Sequence, residues 1–442
     1  SYQEVITRSA DCLYDLERSY TDTNILIVTH GASSRALEIV SGGFTYESLF
    51  EKTRKYINFK NAEIRTLDFA PLPHNSLYEL DLHRPYIDAV TLISEDGEEM
   101  TRVKEVMDVW FDSGSMPFAQ DHYPFENREW VEGAGYPADF ISEAVDQTRG
   151  WFYTLLAIGV LMGKGTPYKN VVCLGHILDA EGKKMSKSIG NIVDPWIMMD
   201  TYGVDALRLW MYSVNQRGDS KNFYEKTVDE LVKKVFNLIS NVRTFYELYA
   251  QEKQDGFDAR KSPHVLDIWI LSKLDALIDS GTQSFDAFDM FSAARLIRSF
   301  VDELSTWYVR RSRDRFKGDD AEDKQYALAT THYVLVNLAK YMAPFTPFFA
   351  ETLYQKMTHG LGELSVHLES WPEAGAVDDA SIKEMEAVRE IVTLALEARQ
   401  KAGIKVRQPL SQLRITNYEL PNKYHEIVME ELNVKKVVSE SG

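Results

Sequence analysis

The spacing of hydrophobic and polar positions changes along the chain. Short apolar runs at Ile25–Val28 and Val171–Leu178 are typical of buried strands. Residues 2–20 and 228–246 instead repeat apolar positions every three or four residues, as amphipathic helices do. Strands alternate with helices in the first half of the chain, and helices alone follow. The pattern therefore predicts an α/β fold followed by an all-α region.

Helical spacing dominates from residue 226 to residue 375. Several amphipathic segments follow one another there, and Pro344 ends one of the longest. Such a succession predicts a helical bundle. A further helix at Ser381–Ala402 and the apolar run after it predict a small α/β domain that begins at residue 376.

Length and composition fit a protein with several packed cores. The chain has 442 residues, 44% of them hydrophobic, which leaves room for about three domains. Its longest apolar stretch, Trp151–Met162, is shorter than the ~20 residues that span a bilayer. We therefore expect a cytoplasmic protein without a membrane segment. Cys12 and Cys173 are the two cysteines, too few for a cysteine zinc site.

A basic loop follows the second apolar run. Residues 183–191 read K-K-M-S-K-S-I-G-N, so Lys184 and Lys187 stand among small residues. A strand leads into this loop and a helix opened by Pro195 follows it. Strand, loop and helix in this order form a phosphate-binding layout. We predict that Lys184 and Lys187 bind a phosphate chain.

The same loop matches the K-M-S-K-S signature of class I aminoacyl-tRNA synthetases. Residues 142–152, S-E-A-V-D-Q-T-R-G-W-F, resemble the adenylate-binding segment of the isoleucyl branch of that family. Residues 81–88 and 108–120 resemble its long form, found in archaea, eukaryotes and some bacteria. The resemblance covers residues 81–442. It implies the second half of a class I Rossmann-type catalytic domain, followed by a helical-bundle anticodon-binding domain.

This resemblance implies a division into domains. They are a linker and connective segment at 71–135, half of the catalytic domain at 136–225, the anticodon-binding domain at 226–375 and the start of a C-terminal domain at 376–442. The other class I signature, H-I-G-H or a close variant, does not occur in these 442 residues. We therefore expect the C-terminal part of a longer polypeptide, which does not activate an amino acid by itself.

The resemblance also implies a reaction, in which ATP activates isoleucine and the activated residue passes to tRNA(Ile). Lys184 and Lys187 would be catalytic, Glu143 would hold the amino group of isoleucine, and Trp151 would line its side-chain pocket. The residues that contact ATP or the adenylate would be Glu143, Asp146, Gln147, Gly175, His176, Ser186 and Lys187. Mg²⁺ would accompany ATP. We expect no zinc, and we expect a monomer.

A run of arginines in the helical region is a candidate tRNA contact. The net charge of −18 argues against broad nucleic-acid binding. Residues 308–317, Y-V-R-R-S-R-D-R-F-K, nevertheless concentrate positive charge within a few helical turns. We predict that Arg310, Arg311 and Arg313 contact tRNA phosphates. The alternative is an ordinary solvated helix face.

Residues 1–70 resemble a different family. The V-T-H-G at 28–31 follows an apolar run, and residues 61–69 read as a strand. Both are similar to the C-terminal half of a histidine phosphatase of the phosphoglycerate mutase type, which implies a partial α/β unit. His30 would be its assisting histidine and Arg8 a phosphate contact. The nucleophile motif R-H-G does not occur. Two alternatives for the chain stay open: a phosphohydrolase of this type, and a non-catalytic tRNA-binding module.

Overall fold

The computed structural model describes residues 2–42, 59–76, 78, 80–103, 109–250 and 257–440. The chain divides into two compact units, Ser1–Met107 and Asp108–Gly442. None of the described helices combines the length and the apolar character needed to cross a membrane.

Two helices build the core of the first unit. Helix α1 spans Tyr2–Ser19 and α2 spans Gly31–Ser41. Their apolar faces meet in a small cluster formed by Ile6, Ala36 and Ile39. The hairpin strands of this unit are short: β1 (Leu92–Ile93) and β2 (Glu99–Met100), paired antiparallel. The helix predicted for residues 2–20 is confirmed.

The two strands predicted for residues 1–70 are not formed. Residues 24–30 and 61–69 have no regular secondary structure, and the described residues of this unit supply no strand that pairs with them. Val28 is 87% exposed and Ile64 is 86% exposed. An apolar run becomes a buried strand only where a neighbouring strand satisfies its backbone groups and another layer covers its side chains. The prediction of a buried strand at Ile25–Val28 is therefore wrong, as is that of a strand at 61–69.

The second unit opens with short helices. They are α3 (Val109–Gly114), α4 (Met116–Ala119) and α5 (Arg128–Glu132). Phe118 and Val131 from this stretch are buried with Tyr136 and Ile158 in one small core. Residues 109–135, which we predicted as part of a linker, thus pack as part of a folded unit.

A parallel strand pair positions the candidate site. Strand β3 (Ile141–Ala144) pairs in parallel with β4 (Val171–Leu174), with Glu143 opposite Cys173. Helix α6 (Trp151–Leu161) connects the two strands. This β-α-β order agrees with the α/β architecture predicted for residues 136–225, in which ligands bind beyond the carboxyl ends of the strands.

The strand predicted for Val171–Leu178 is interrupted at Gly175. Strand β4 ends one residue earlier, and β5 (Ile177–Leu178) pairs in parallel with β6 (Lys221–Asn222). The N–H of Gly175 donates to the carbonyl of Arg217 over 2.8 Å. A Cβ at Gly175 would lie 2.1 Å from the carbonyl oxygen of Asp219. A chain segment distant in sequence therefore takes over the backbone pairing at this point.

The remaining helices follow in close succession. They are α7 (Pro195–Tyr202), α8 (Val204–Ser213), α9 (Glu225–Leu231), α10 (Asn237–Tyr249), α11 (Val265–Asp286), α12 (Met290–Glu303), α13 (Arg310–Lys317), α14 (Ala321–Met342) and α15 (Pro347–Thr358). π-Helical turns at Val232–Phe236 and Leu304–Val309 join α9 to α10 and α12 to α13. The helical bundle predicted for this region is confirmed.

The C-terminal residues add a small α/β layer. Helix α16 spans Asp379–Lys401 and α17 spans His425–Leu432, and β7 (Leu413–Thr416) pairs in parallel with β8 (Val437–Glu440). Tyr424 and Val428 belong to the same hydrophobic core as the bundle. The predicted small α/β domain therefore shares its core with the helices that precede it.

Candidate active site and RNA-binding residues

The lysine loop, residues 179–191, leaves β5 as a tight turn. The N–H of Asp179 donates to the carbonyl of Lys183 over 2.9 Å, and Gly182 has φ +79°, which glycine adopts without steric cost. The side chain of Met185 packs against the main hydrophobic core. Beyond it, the N–H of Gly190 donates to the carbonyl of Ser186 over 3.1 Å. The side chain of Met185 thus holds the loop to the core, and backbone hydrogen bonds within the loop lie on both sides of it.

Lys184 and Lys187 are exposed on this loop. Within the described part of the chain, neither ammonium group has a hydrogen-bond or ion-pair partner. The hydroxyl oxygen of Ser186 lies 2.6 Å from that of Ser188, so small polar groups surround the lysines. Charge-assisted hydrogen bonds to an anion are stronger than neutral ones. The loop can therefore offer two ammonium groups to an anionic ligand without first breaking an internal ion pair.

One carboxylate lies at the base of the loop. Asp179 is 8% exposed. The side chain of Asn191 donates a hydrogen bond to it, and so do the N–H groups of Lys183 and Glu181. These hydrogen bonds, that of Asn191 first, hold the pKa of Asp179 below its ordinary value, although burial opposes the shift. The group is therefore a carboxylate at neutral pH.

The predicted adenylate segment lies beyond the carboxyl end of β3. Glu143 is exposed near that end, and a 3₁₀ turn at Val145–Arg149 carries Asp146 and Gln147. The amide oxygen of Gln147 accepts the N–H of Trp151 over 3.0 Å, and its NH₂ group donates to Asp146 over 3.0 Å. The structure thus brings Asp146, Gln147 and Trp151 together, and Glu143 lies close to them along the chain.

A second tryptophan joins this group. The indole N–H of Trp151 donates to the carbonyl of Ser113 over 3.1 Å, and the ring of Trp110 lies over Gly150, 3.2 Å from the point that a Cβ would occupy there. Helix α3 therefore places Trp110 beside the predicted amino-acid pocket. The run D-V-W-F-D-S-G was noted for its resemblance and not predicted as a helix. The sequence assigned Trp110 no role because the residue it packs over, Gly150, is distant along the chain.

Gly175 and His176 lie between β4 and β5. The backbone N–H of Gly175 is used by the carbonyl of Arg217, and the carbonyl of His176 accepts the N–H of Lys221 over 2.7 Å. The imidazole of His176 is exposed. Gly175 is explained by close backbone packing, so of the two predicted adenylate contacts His176 keeps a side chain available to a ligand.

The predicted tRNA arginines have two kinds of surroundings. Arg310 pairs with Glu431 over 2.7 Å, and Arg311, 14% exposed, pairs with Glu431 over 3.2 Å and also with Glu430. Both acids lie on α17, so these pairs link α13 to the C-terminal layer. Arg313 is exposed, and no described residue pairs with it. The tRNA contact stays a prediction. Of the three predicted arginines, Arg313 is the one that has no partner among the described residues.

A fourth arginine of the run belongs to the core. Arg315 donates two hydrogen bonds to the fully buried Asp267, over 2.7 and 2.8 Å, and it also pairs with Asp323 over 2.7 Å. Tyr308 donates to Asp267 over 2.8 Å. Burial alone would raise the pKa of Asp267, but hydrogen bonds and charge from Arg315 bring it below its ordinary value. Arg315 thus links α13 to α11 and α14 inside the helical bundle.

The phosphatase-like residues of the first unit, Arg8 and His30, are both exposed. His30 is exposed directly before α2, and its carbonyl accepts the N–H of Ser34 over 2.8 Å. Arg8 is exposed on α1, and its Nε donates to the carbonyl of Glu4 over 3.4 Å. Among the described residues, no hydrogen bond joins Arg8 to His30. The prediction that these two side chains hold a phosphate therefore has no support from their hydrogen bonds.

Family models match two separate parts of the chain. Residues 75–223 match the model of class I tRNA synthetases of the I, L, M and V group. Residues 267–415 match the anticodon-binding domain of tRNA ligases. These matches confirm the predicted class I catalytic segment and the predicted helical anticodon-binding domain. Neither of these two matches includes residues 1–70, so the resemblance of that unit to histidine phosphatases stays a prediction.

Curated relatives are similar over the same region. The isoleucine–tRNA ligase of Clostridium novyi is 46% identical over 369 residues, which cover 81% of this chain and 36% of the relative. That of Streptomyces avermitilis is 45% identical over 377 residues, covering 81% of this chain and 35% of the relative. That of Bacillus thuringiensis is 44% identical over 373 residues, again covering 81% and 35%. The chain thus spans about a third of the length of these relatives.

Proposed function

We propose that these residues are part of an isoleucine–tRNA ligase and supply its lysine loop, half of its adenylate site and its anticodon-binding domain. The observation that carries the proposal is the pair of exposed ammonium groups of Lys184 and Lys187, which have no partner in the described structure. They lie on a loop that follows a parallel strand pair, in a chain similar to isoleucine–tRNA ligases. The C-terminal part of such an enzyme would have this arrangement.

The first proposed step forms isoleucyl-adenylate. The carboxylate of isoleucine attacks the α-phosphorus of ATP, and pyrophosphate leaves. Neither bond change needs a protein nucleophile, so catalysis rests on positioning and on charge stabilisation. Lys184 and Lys187 are assigned to the phosphate oxygens, where charge develops on the leaving pyrophosphate. Mg²⁺ is proposed to arrive with ATP, because it prefers phosphate oxygens and retains much of its water shell.

Residues near the end of β3 are assigned to the rest of the adenylate. Glu143 is proposed to pair with the ammonium of isoleucine, and Asp146 and Gln147 to accept or donate hydrogen bonds near the ribose and the carbonyl. Trp151, with Trp110 beside it, is proposed to form the apolar wall that a branched aliphatic side chain requires. His176 and Ser186 remain candidates for nucleotide contacts.

The second proposed step transfers the amino acid to tRNA(Ile). A hydroxyl of the terminal ribose attacks the acyl carbon, the bond to the phosphate oxygen breaks, and AMP leaves. The helical bundle is proposed to bind the anticodon arm. Phosphate contacts from basic side chains position an RNA without reading its sequence. Arg313 is the proposed contact of this kind, because Arg310 and Arg311 are paired with Glu430 and Glu431.

An exchange assay tests the proposal. The complete polypeptide that contains these residues should catalyse ATP–pyrophosphate exchange that depends on isoleucine, and leucine, valine or methionine should support much less exchange. Lys187→Ala should lower kcat/KM at least about tenfold, because a hydrogen bond to a charged group is worth about 1.5–3 kcal/mol. The matched control is Lys226→Ala, which removes an exposed lysine outside the loop. Exchange driven equally by another amino acid would contradict the proposal.

For the first unit, we propose descent from the histidine phosphatase family without phosphatase activity. The V-T-H-G sequence and the two flanking helices support that descent. The exposure of His30 and Arg8, which no described hydrogen bond joins, does not support catalysis. We expect the chain to release no phosphate from p-nitrophenyl phosphate. Release that is lost in His30→Ala would establish a phosphohydrolase instead.

A further inference from the structure

An aspartate and an asparagine lie at the two ends of the lysine loop and hold its backbone by hydrogen bonds. Asp179 begins the loop and Asn191 ends it. One amide hydrogen of Asn191 donates to the carboxylate of Asp179 over 2.7 Å. Residues separated by twelve positions are therefore joined directly, and the loop is closed at its base.

Each member of this pair also holds backbone next to a lysine. The carboxylate of Asp179 accepts the N–H of Lys183 over 2.7 Å and that of Glu181 over 3.1 Å. The amide oxygen of Asn191 accepts the N–H of Ser186 over 2.9 Å, and its NH₂ group reaches the carbonyl of Lys184 over 3.3 Å. The peptide groups on both sides of Met185 are thus held by one side chain.

The loop needs such restraint because its sequence is otherwise permissive. Gly182 and Gly190 both have positive φ, +79° and +73°, and a glycine loses more conformational freedom on ordering than other residues do. Lys184 and Lys187 have no described side-chain partner that could hold them. A loop that had to become ordered only on ligand binding would lose affinity by the entropy of that ordering.

We propose that Asp179 and Asn191 are a positioning pair, which orders the backbone of the lysine loop before a ligand binds. Lys184 and Lys187 are then already in position when a polyphosphate binds. The inference rests on the proposed function for the identity of the ligand, and on the hydrogen bonds above for its geometry. Neither residue touches the phosphates in this account. Both act through the peptide groups that carry the lysines.

The first test is amide hydrogen exchange on the chain without ligand. Asn191→Ala should speed exchange of the Ser186 N–H about tenfold, and Asp179→Ala should do the same for Lys183, which is the effect of losing one hydrogen bond to the folded structure. The N–H of Gly375, which donates to Asp275 in the helical bundle, serves as an internal control and should not change. Unchanged exchange at both loop positions would overturn the proposal.

A reciprocal exchange of the two side chains separates positioning from general structure. Asp179→Asn alone places two NH₂ groups face to face, and Asn191→Asp alone places two carboxylates face to face. In the double variant, the amide at position 179 donates to the carboxylate at position 191, which still accepts the N–H of Ser186. Each single variant should bind inorganic pyrophosphate about tenfold more weakly, because one hydrogen bond to a charged group is lost. The double variant should recover part of the affinity, because a carboxylate at position 191 cannot donate to the carbonyl of Lys184.

The outcomes distinguish this proposal from the proposed function. If pyrophosphate affinity follows the hydrogen-bond pairing while the complete polypeptide shows no isoleucine-dependent exchange, the positioning pair stands and the proposed function fails. If isoleucine-dependent exchange is present and the single variants bind pyrophosphate like the unmodified chain, the positioning pair fails alone. Faster amide exchange with unaltered pyrophosphate affinity also overturns it, because the pair would then order the loop without serving the lysines.

Discussion

Two basic segments of this chain resemble each other in sequence and differ in structure. The lysine loop and the arginine run of α13 both place several cations within a few residues, and both were predicted to bind phosphate. In the structure, Lys184 and Lys187 have no described partner, whereas Arg310 and Arg311 pair with acids of α17 and Arg315 pairs with Asp267 in the core. A basic run therefore indicates ligand binding only where its charges are not already neutralised inside the protein.

The physical difference lies in what surrounds each cation. A guanidinium offers several donors in one plane and suits buried bidentate pairs with carboxylates, as Arg315 shows with Asp267. The ammonium groups of Lys184 and Lys187 belong to a glycine-containing turn. The acidic side chain at its base, Asp179, accepts hydrogen bonds from Asn191 and from backbone N–H groups and does not pair with these lysines. The carboxylate thus orders the loop without neutralising its lysines.

The largest effect is expected from the arginine in the core. Arg315→Leu would leave the buried carboxylate of Asp267 without its cation, and an uncompensated buried charge costs about 3–5 kcal/mol. Urea unfolding followed by circular dichroism should show a loss of that size. The exposed Arg313→Leu should change the unfolding free energy by no more than about 0.5 kcal/mol. Equal losses for the two variants would remove the distinction between them.

The ion pairs between α13 and α17 should have an intermediate effect. Arg311→Ala removes the cation that pairs with Glu430 and one of the two that pair with Glu431, which is 9% exposed. The loss of a hydrogen bond to a charged group costs about 1.5–3 kcal/mol. Hydrogen exchange should accelerate in α17 more than in α11. Reversing the other pair, with Arg311→Glu and Glu430→Arg together, should restore part of the protection that Arg311→Glu loses. A double variant no better than the single one would argue against the pairing.

A smaller effect is expected at the RNA surface. Arg313→Glu should weaken binding of tRNA and lower the slope of log affinity against log salt by about one. Charge reversal at Arg310, which already pairs with Glu431, should change the slope less when both variants are measured under conditions where they are fully folded. Filter binding at several salt concentrations measures both. A larger slope change at Arg310 would reverse the assignment within the arginine run.

The smallest effect concerns pH. The pKa of Asp267 is lowered in the folded protein because hydrogen bonds and charge from Arg315 outweigh burial. Its contribution to stability is therefore fully present above the ordinary carboxyl value, about 4, and is lost as the pH falls through the lower folded value. The unfolding free energy should decline in that range. The decline should be shallower in a variant with both Asp267→Leu and Arg315→Leu, and an unchanged slope would contradict the cause given.

The sequence was informative where the determining contacts are local. The helix opened by Pro195 and the order of strand, loop and helix around the lysine loop could be predicted, because each depends on residues within a few positions. The partners of the arginines could not, since Arg311 meets Glu430 across 119 positions and Arg315 meets Asp267 across 48. Distant backbone at Asp219 likewise interrupts the strand predicted through Gly175.

The two wrong strand predictions in residues 1–70 show a related limit of local sequence patterns. Ile25–Val28 has the composition of a buried strand, but composition cannot supply the neighbouring strand that would pair with it. Trp110 was missed for the opposite reason. Its motif was seen, but its place over Gly150 depends on how α3 packs against α6. Local pattern thus predicted the elements, and long-range packing decided their surroundings.

The most direct test measures pyrophosphate affinity and unfolding free energy on the same samples. Lys184→Gln with Lys187→Gln should weaken pyrophosphate binding at least about tenfold and change stability by no more than about 0.5 kcal/mol. Arg311→Gln with Arg315→Gln should lower stability and, in samples that remain folded, leave pyrophosphate affinity unchanged. The account would be contradicted if the lysine variant bound pyrophosphate like the unmodified chain. It would also be contradicted if the arginine variant lost pyrophosphate affinity in samples that remain folded.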